Sequence, residues 1–195
     1  GTSAEVGYIM GQAYAIRAYS YFMLAQSFAR TYAGHESEPC CPIYTEPTTA
    51  ETEGQPRSTV QQVYDLIVSD MDKALEYLEG TSRKHISHIG YEVAQGLRAR
   101  IALTMEDWAT AKTAAKAASN CEIIPVDEFI GTNDADADNV MWAADIIADQ
   151  SGMYASFFSH MSTGVSYGSS ARKQINKELY AKISPTDSRL AWWDP

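Results

Sequence analysis

The segment 58–80 constrains the fold most, because its apolar residues recur with the period of an α-helix. Its start, STVQ at 58–61, has the form of a capping box, in which two side chains satisfy free backbone N–H groups. Gly80 stands where a helix C-terminal cap belongs. We therefore predict an amphipathic helix over 58–79 that must bury one face against other elements. That face consists of Val60, Val63, Tyr64, Ile67, Met71, Ala74, Leu75 and Leu78.

Three further helices are predicted before residue 120. The first covers 4–32, contains no Pro and mixes small with large side chains. The others cover 90–105 and 108–119, and Asp107 can cap the second of these. Only two residues separate them, so they must be antiparallel neighbours. Paired antiparallel helices rich in Ala indicate a tetratricopeptide-like array. The expected inward residues are Ala94, Leu97, Ile101 and Ala102, then Trp108, Ala111, Ala115 and Ala118.

The last third has a different composition. Residues 122–149 include eight carboxylates and no Lys or Arg. The expected organisation is a tetratricopeptide-like helical region over 1–120, and an irregular acidic region over 121–195 packed on the helices. In the second region we expect short strands at 122–126 and 140–144, a Gly/Ser loop at 164–170 and a short helix at 174–183. The fold class is therefore mainly α, with short strands in the C-terminal third.

The charge and the distribution of apolar residues argue against a nucleic-acid-binding protein and against a membrane-spanning protein. The chain has 25 Asp and Glu against 15 Lys and Arg, a net charge of −10, so no nucleic-acid partner is expected. No apolar stretch is long enough for a membrane span.

Cys40 and Cys41 are adjacent, and a disulfide between them would be strained, so reduced thiols are expected. The chain starts without Met or a signal peptide and ends at WWDP, which suggests a piece of a longer protein.

A set of short sequence segments follows in a fixed order along the chain. These segments are IRAYSYF at 16–22, CPI at 41–43, RST at 57–59, VY at 63–64, IVSDMDKA at 67–74, the helix at 94–105, DWATA at 107–111 and DSR at 187–189. Together they resemble the SusD/RagB family. The resemblance covers 10–120 well and 121–195 loosely, and typical members are more than twice as long. Glu106 replaces the glycine that this family usually has before its Asp-Trp pair, and Cys40 with Cys41 replaces a Gly-containing turn.

The resemblance implies a binding protein and not an enzyme. Such proteins hold oligosaccharides at the outer face of the outer membrane, as lipoprotein partners of TonB-dependent importers. The lipidated N-terminal cysteine of the family is absent from this chain, and no cofactor is expected. The resemblance also implies that Arg17 donates hydrogen bonds to backbone carbonyls, and the alternative is that Arg17 is an exposed charge. A tetratricopeptide-type interaction scaffold without a carbohydrate ligand is the alternative function, and a hydrolase is the third.

Sugar binding needs flat aromatic faces beside polar side chains. Trp192 and Trp193 lie near Asp194 and Arg189 and have that composition, although packing into a remainder of the chain is the favoured interpretation. Tyr167 in the Gly/Ser loop is the third candidate ligand-binding residue. The other two tryptophans, Trp108 and Trp142, are expected in the core.

The sequence patterns for a metal site or a catalytic site are weaker than the aromatic pattern for sugar binding. Asp134, Asp136 and Asp138 alternate as in a calcium loop, but Asn139 replaces the required Gly, so a solvated acidic loop is the favoured interpretation. His85 and His88 have a zinc-like spacing without further ligands nearby. Glu178 and Asp187 are the only paired carboxylates considered for hydrolysis, and the sequence gives no separation for them.

Overall fold

The computed structural model describes residues 1–119, 123–125, 135, 137–144, 160, 164, 166–171 and 173–192. It confirms a mainly α fold built from tetratricopeptide-like hairpins, because α1 packs against α2 and α3 packs against α4. Among the described residues no helix is both long and apolar enough to cross a membrane. The elements are α1 (Ser3–Phe28), α2 (Val60–Leu78), α3 (Tyr91–Thr104), α4 (Trp108–Ala118), α5 (Ser166–Ser170), α6 (Lys177–Tyr180) and a 3-10 helix (Ser188–Trp192).

The chain divides into two compact units. The first comprises Gly1–Glu122 with Val140–Ala143 and contains α1 to α4. The second comprises Ile123–Asn139 with Ala144–Pro195 and contains α5, α6 and the 3-10 helix. The expectation that residues 121–195 pack on the helices stays a prediction.

The core of the first unit lies between α1, α2 and α3. Gly11 allows α1 and α2 to approach closely, because a Cβ atom there would lie 2.7 Å from Leu78 Cγ. Leu78 is fully buried, so there is no space for that atom to move aside. The buried apolar residues include Ala15, Ala18, Phe22, Val60, Val63, Tyr64, Ile67, Met71, Ala74, Ala94, Leu97 and Ile101.

Local signals fix most helix ends. The predicted cap at Ser58 is wrong by one residue: Thr59 is the N-cap of α2, and its capping box is completed by Gln62. Ser58 is instead held by backbone hydrogen bonds to Cys40 and Cys41, so its backbone belongs to the preceding loop. Gly80 follows the C-cap with φ of 69°, as predicted for a helix stop.

The turn between α3 and α4 holds a strained residue. Glu106 has φ of 62°, a left-handed conformation that costs a residue with a Cβ atom. The family's usual glycine at this position would adopt it without strain. Asp107 then caps α4 by accepting a hydrogen bond from the N–H of Thr110, as predicted.

A bidentate ion pair joins α1 to α2. Arg17 donates from Nε and Nη2 to the two carboxylate oxygens of Asp70, at 2.6 and 2.8 Å. Asp70 is buried and Arg17 is about one-third exposed. Arg17 also donates to the Thr45 carbonyl at 3.3 Å, as the resemblance implied, although the carboxylate is its main partner. The carboxylate raises the pKa of the Arg17 guanidinium further.

Arg57 holds the loop after α1 in place through hydrogen bonds. Its guanidinium donates to the carbonyls of Cys40, Phe28 and Pro39. Cys40 and Cys41 beside it are buried free thiols with their sulfur atoms 3.8 Å apart. Burial raises the pKa of the Cys41 thiol to about 12.

The secondary structure expected in the last third needs correction. The described residues of 122–126 and 140–144 form no strand. The Met141 carbonyl accepts from Arg83 and the Ala143 N–H donates to Ile86, so this segment bonds to the loop before α3 and not to a strand partner. The predicted loop at 164–170 contains α5, and the helix predicted at 174–183 shortens to α6, where Asn176 is the N-cap. Asn139, in the expected acidic loop, is half-buried.

Candidate functional site

Trp108 is the most exposed tryptophan among the residues with described side chains. The prediction that it lies in the core is wrong, because 62% of it is accessible. The residues of α4 that are buried are Ala111, Ala114 and Ala118. Trp108 is rotated by about 90° from the centre of that face, since each residue turns the helix by roughly 100°. The indole therefore lies at the side of the α3–α4 hairpin.

A groove of about 390 Å³ runs between α3 and α4 beside the indole. Its volume falls in the range of small-molecule sites. Small alanine side chains form much of its surface, so they leave the Trp108 ring accessible. We call it the Trp108 groove. Its lining residues are Ala99, Arg100, Leu103, Trp108, Ala111, Lys112 and Ala115.

The surface of the Trp108 groove is mainly apolar. Arg100 and Lys112 line it chiefly with their aliphatic stems, because so little polar surface faces the groove. The described lining contains no carboxylate, although the whole chain has a net charge of −10. The groove therefore combines one aromatic face with apolar walls, and two cationic side chains border it.

A second groove of about 310 Å³ lies on the other side of α3. Its described lining has no aromatic residue, and Arg98 within it pairs with Asp72 at 3.1 Å. It lacks the stacking surface that a sugar ring needs. Threonine hydroxyls from Thr110 and Thr113 make it the more polar of the two.

The residues predicted to bind a ligand in the second unit are placed as follows. Tyr167 on α5 is half-buried and stacks on His160, with ring centroids 5.0 Å apart and planes inclined by 10°. The backbone of Trp192 ends the 3-10 helix, and Trp193 lies outside the described residues. Arg189 pairs with Asp187 at 2.6 Å and lowers the pKa of that carboxyl to about 2. Tyr167, Trp192 and Trp193 stay predictions as ligand-binding residues.

Trp142 belongs to the first unit and has a structural role. The prediction that it lies in the core is wrong, because 36% of the residue is exposed. Its ring meets Tyr19 edge-on with centroids 5.8 Å apart, and its Nε1–H donates to the Ser87 carbonyl at 3.0 Å. These contacts fasten the segment Val140–Ala143 to α1 and to the loop before α3.

The candidate metal-binding residues form no metal site within the part of the chain that the structure describes. Asp138 is exposed, and Asp134 and Asp136 lie outside the described residues. The His85 and His88 rings are 6.0 Å apart, and Nδ1 of His88 is 3.2 Å from the Tyr8 hydroxyl. Within the described part of the chain no group of three or more His, Cys, Asp or Glu could hold a metal ion.

Comparisons with known proteins agree with the helical architecture. The profile of a family described as "Starch-binding associating with outer membrane" matches residues 1–103. A SusD-like carbohydrate binding protein from Bacteroides vulgatus has 31% identity and a TM-score of 0.72, with 77% of this chain and 33% of that chain covered. A SusD superfamily protein from Bacteroides thetaiotaomicron has 29% identity and a TM-score of 0.61, with 67% and 29% covered.

B. fragilis NanU covers most of this chain and shares its fold. It matches with a TM-score of 0.69 and 22% identity over 97% of this chain and 43% of its own. No curated protein matches the sequence. The chain thus spans a third of the B. vulgatus protein or less than half of NanU. Because the family profile matches more than half of the sequence, the chain belongs to the SusD-like family.

Proposed function

We propose that this chain binds an oligosaccharide and that the Trp108 groove holds one of its sugar rings. The single observation that carries the proposal is the exposed indole of Trp108 in a groove on a SusD-like chain. The similar protein from B. vulgatus is a SusD-like carbohydrate binding protein at 31% identity. The family description also names starch binding.

The chemistry of the groove suits a pyranose. The apolar C–H face of the sugar stacks on the indole, which buries apolar surface without requiring a covalent step. Arg100 and Lys112 at the groove donate hydrogen bonds to ring hydroxyls. The alanine residues around the indole leave room for the ring to lie flat. This arrangement binds and orients a sugar, and we propose no catalytic role for it.

The wider setting follows from family membership and belongs to the same proposal. The family description indicates association with the outer membrane. We propose that the protein is a surface-exposed lipoprotein, held in the outer membrane by a lipid anchor, and that it passes oligosaccharide to a TonB-dependent transporter. Trp192, Trp193 and Tyr167 remain proposed additional sugar contacts in the second unit.

Affinity electrophoresis in gels containing different polysaccharides tests the proposal. We expect retardation by at least one glycan, loss of retardation for Trp108→Ala, and partial retention for Trp108→Phe. Phe28→Ala is the matched control, because Phe28 is 63% exposed on α1 and distant in sequence from the groove. Unretarded migration of the wild-type chain in every glycan tested would count against glycan binding by this chain.

An interaction scaffold is the second candidate function. One observation favours it: α1 has a long exposed face of apolar side chains, including Ile9, Ile16 and Phe28. Exposed apolar surface of this extent marks protein contacts in soluble domains. The two functions are compatible, because the Trp108 groove lies between α3 and α4 and α1 does not line it.

A further inference from the structure

Two adjacent thiols lie inside the first unit. Cys40 and Cys41 are 1% and 6% exposed, and their sulfur atoms are 3.8 Å apart. They belong to the hydrophobic core that the loop after α1 shares with α1 and α2. The described lining of the Trp108 groove consists of residues of α3 and α4, so the thiols take no part in the proposed sugar site.

The backbone of this cysteine pair is fixed along its whole length. The Cys40 N–H donates to the Ser58 carbonyl at 2.7 Å, and the Ser58 N–H donates to the Cys41 carbonyl at 3.0 Å. Between these two bonds, Arg57 Nε donates to the Cys40 carbonyl at 2.6 Å. A large change in the dihedral angles of either cysteine therefore breaks at least one of the three hydrogen bonds.

A disulfide between the two thiols does not fit this backbone. Adjacent Cα atoms are about 3.8 Å apart across a trans peptide such as this one, whereas disulfides usually join Cα atoms roughly 4.4–6.8 Å apart. The sulfur atoms would also have to approach from 3.8 Å to about 2.05 Å. Ring closure thus requires new dihedral angles at both cysteines, and a close-packed core leaves no space for that movement.

We propose that Cys40 and Cys41 form a redox-sensitive switch, in which oxidation to a ring disulfide releases the loop of residues 29–58 from α1 and α2. The docked loop accepts only the two thiols, and the ring forms while the loop is undocked. Docking and oxidation then oppose one another by the same factor, because the coupling of two equilibria is reciprocal.

The oxidant is a small-molecule disulfide, such as glutathione disulfide. The thiolate of one cysteine attacks it, which forms a mixed disulfide and releases one glutathione thiolate. The second cysteine thiolate then attacks the mixed disulfide, closes the ring and releases the other glutathione thiolate. The two cysteines lose two electrons, the glutathione S–S bond is reduced, and the two cysteine protons end on the two glutathione thiols.

The docked loop protects the pair from this reaction. The attacking species is the thiolate, and burial raises the pKa of the Cys41 thiol to about 12, so the docked chain holds very little thiolate at neutral pH. An undocked thiol returns to an ordinary pKa of about 8.5. Glutathione disulfide should therefore oxidise the pair slowly in the folded chain and much faster in urea.

Release of the loop would open the start of α2. The Val60 N–H donates to the Glu38 carbonyl and the Gln61 N–H donates to the Glu36 carbonyl, each at 2.9 Å. Both donors lie in the first turn of α2 and depend on the loop for their partners. Among the described helices α4 contacts only α3, so α4 serves as the internal reference.

Hydrogen exchange of reduced and oxidised chains tests the switch. Cys121→Ser removes the third cysteine of the chain and serves as the background. This chain is oxidised by glutathione disulfide in urea and then refolded, and mass spectrometry identifies the ring disulfide by the loss of two hydrogen atoms. We expect exchange at 58–61 to become about 10-fold faster or more, with α4 unchanged. The urea midpoint should fall by about 1 M, and dithiothreitol should reverse both effects.

The double variant Cys40→Ala with Cys41→Ala in the same background is the matched control, because it has no thiol and should not respond to the oxidant. Failure of the oxidised chain to refold, reversed by dithiothreitol, would be the same effect in its strongest form. Equal exchange and equal midpoints for the two redox forms would overturn the switch. Oxidation as fast in the folded chain as in urea would also overturn it, and so would glutathione adducts in place of the ring. None of these results depends on sugar binding at the Trp108 groove.

Discussion

Replacing Gly11 by Ala tests the closest contact between α1 and α2. An added Cβ atom would lie 2.7 Å from Leu78 Cγ, 3.0 Å from Leu78 Cδ2 and 3.1 Å from Tyr77 Cβ. Tyr77 Cβ is bonded directly to the α2 backbone and cannot rotate away, and Leu78 Cγ can move only by a change of the Leu78 χ1 angle. Because Leu78 is fully buried, the two helices must move apart to admit the methyl group. Gly7→Ala in the same helix meets only Tyr77 Cδ1 at 3.6 Å, an ordinary contact.

The two substitutions should change stability in opposite directions. Gly to Ala inside a helix stabilises by about 0.5–1 kcal/mol through lower backbone entropy and better propensity. Gly7→Ala should show that gain. At Gly11 the same gain is offset by overpacking, for which core insertions cost about 1–3 kcal/mol. Since the contact with Leu78 is well below van der Waals distance, the upper value applies, and the net loss should be about 2 kcal/mol.

Urea unfolding followed by circular dichroism at 222 nm measures both free energies. We expect the two variants to differ by about 3 kcal/mol, with similar dependence of stability on urea. If Gly11→Ala is as stable as Gly7→Ala, the close approach of α1 to α2 at Leu78 does not exist in solution. A loss at both positions would instead show that glycine is needed in α1 for some other reason.

Three further predictions concern the same unit. Glu106→Gly should raise the thermal midpoint, with a gain of about 1 kcal/mol, because glycine adopts the positive φ of this turn without strain. Asp70→Ala should reduce the free energy of unfolding by about 2–3 kcal/mol in urea, because it leaves Arg17, which is only one-third exposed, without its carboxylate. In alkali, the urea midpoint should fall as the pH rises from about 9 toward 12. Burial raises the pKa values of the Cys41 thiol and the Tyr64 hydroxyl to about 12 in the folded chain, so the unfolded chain loses these protons at lower pH, and their ionisation favours unfolding.

Each of these has a clear contrary result. An unchanged or lower midpoint for Glu106→Gly would show that the turn is not strained. Full stability of Asp70→Ala would mean that the ion pair contributes nothing net. Constant urea midpoints from pH 8 to pH 11 would show that the Cys41 thiol and Tyr64 hydroxyl ionise as easily in the folded as in the unfolded chain.

Periodicity and capping residues predicted α2, α3 and α4 closely because these signals are local. Gly80 and Asp107 act at the helix ends where the sequence placed them. The cap of α2 was assigned to the wrong residue because both Ser58 and Thr59 are followed by Gln three residues later. Pairing of the Ser58 backbone with Cys40 and Cys41, which is a long-range contact, decides between them.

The candidate site was missed for a physical reason that is visible in α4. Its alanines fit on either side of the helix, so the sequence does not determine which side is buried. Trp108 was expected inside because large aromatic residues usually are, whereas α3 packs against Ala111, Ala114 and Ala118. An aromatic residue at the first position of an alanine-rich helix, with Lys112 one turn later, is the signal that could have indicated an exposed ring.

Two other features depended on contacts between distant segments. α1 carries apolar residues on every side, so periodicity alone does not show that Ile9 and Ile16 face outward. The apolar run at 140–144 resembles a strand, but a strand needs a partner with free backbone groups. The hydrogen bonds from Arg83 and to Ile86 occupy this segment instead, and sequence reasoning does not reveal such long-range partners.

Titration of the chain with oligosaccharides, observed through its indole N–H signals in NMR spectra, tests the central claim most directly. The four tryptophans give separate signals that single substitutions to Phe can assign. The proposed function predicts that the Trp108 signal shifts as sugar is added, while the Trp142 signal stays fixed because its N–H is held by Ser87. Shifts confined to Trp192 and Trp193 would contradict the Trp108 groove as the binding site. No shift in any signal with any glycan would contradict glycan binding by this chain.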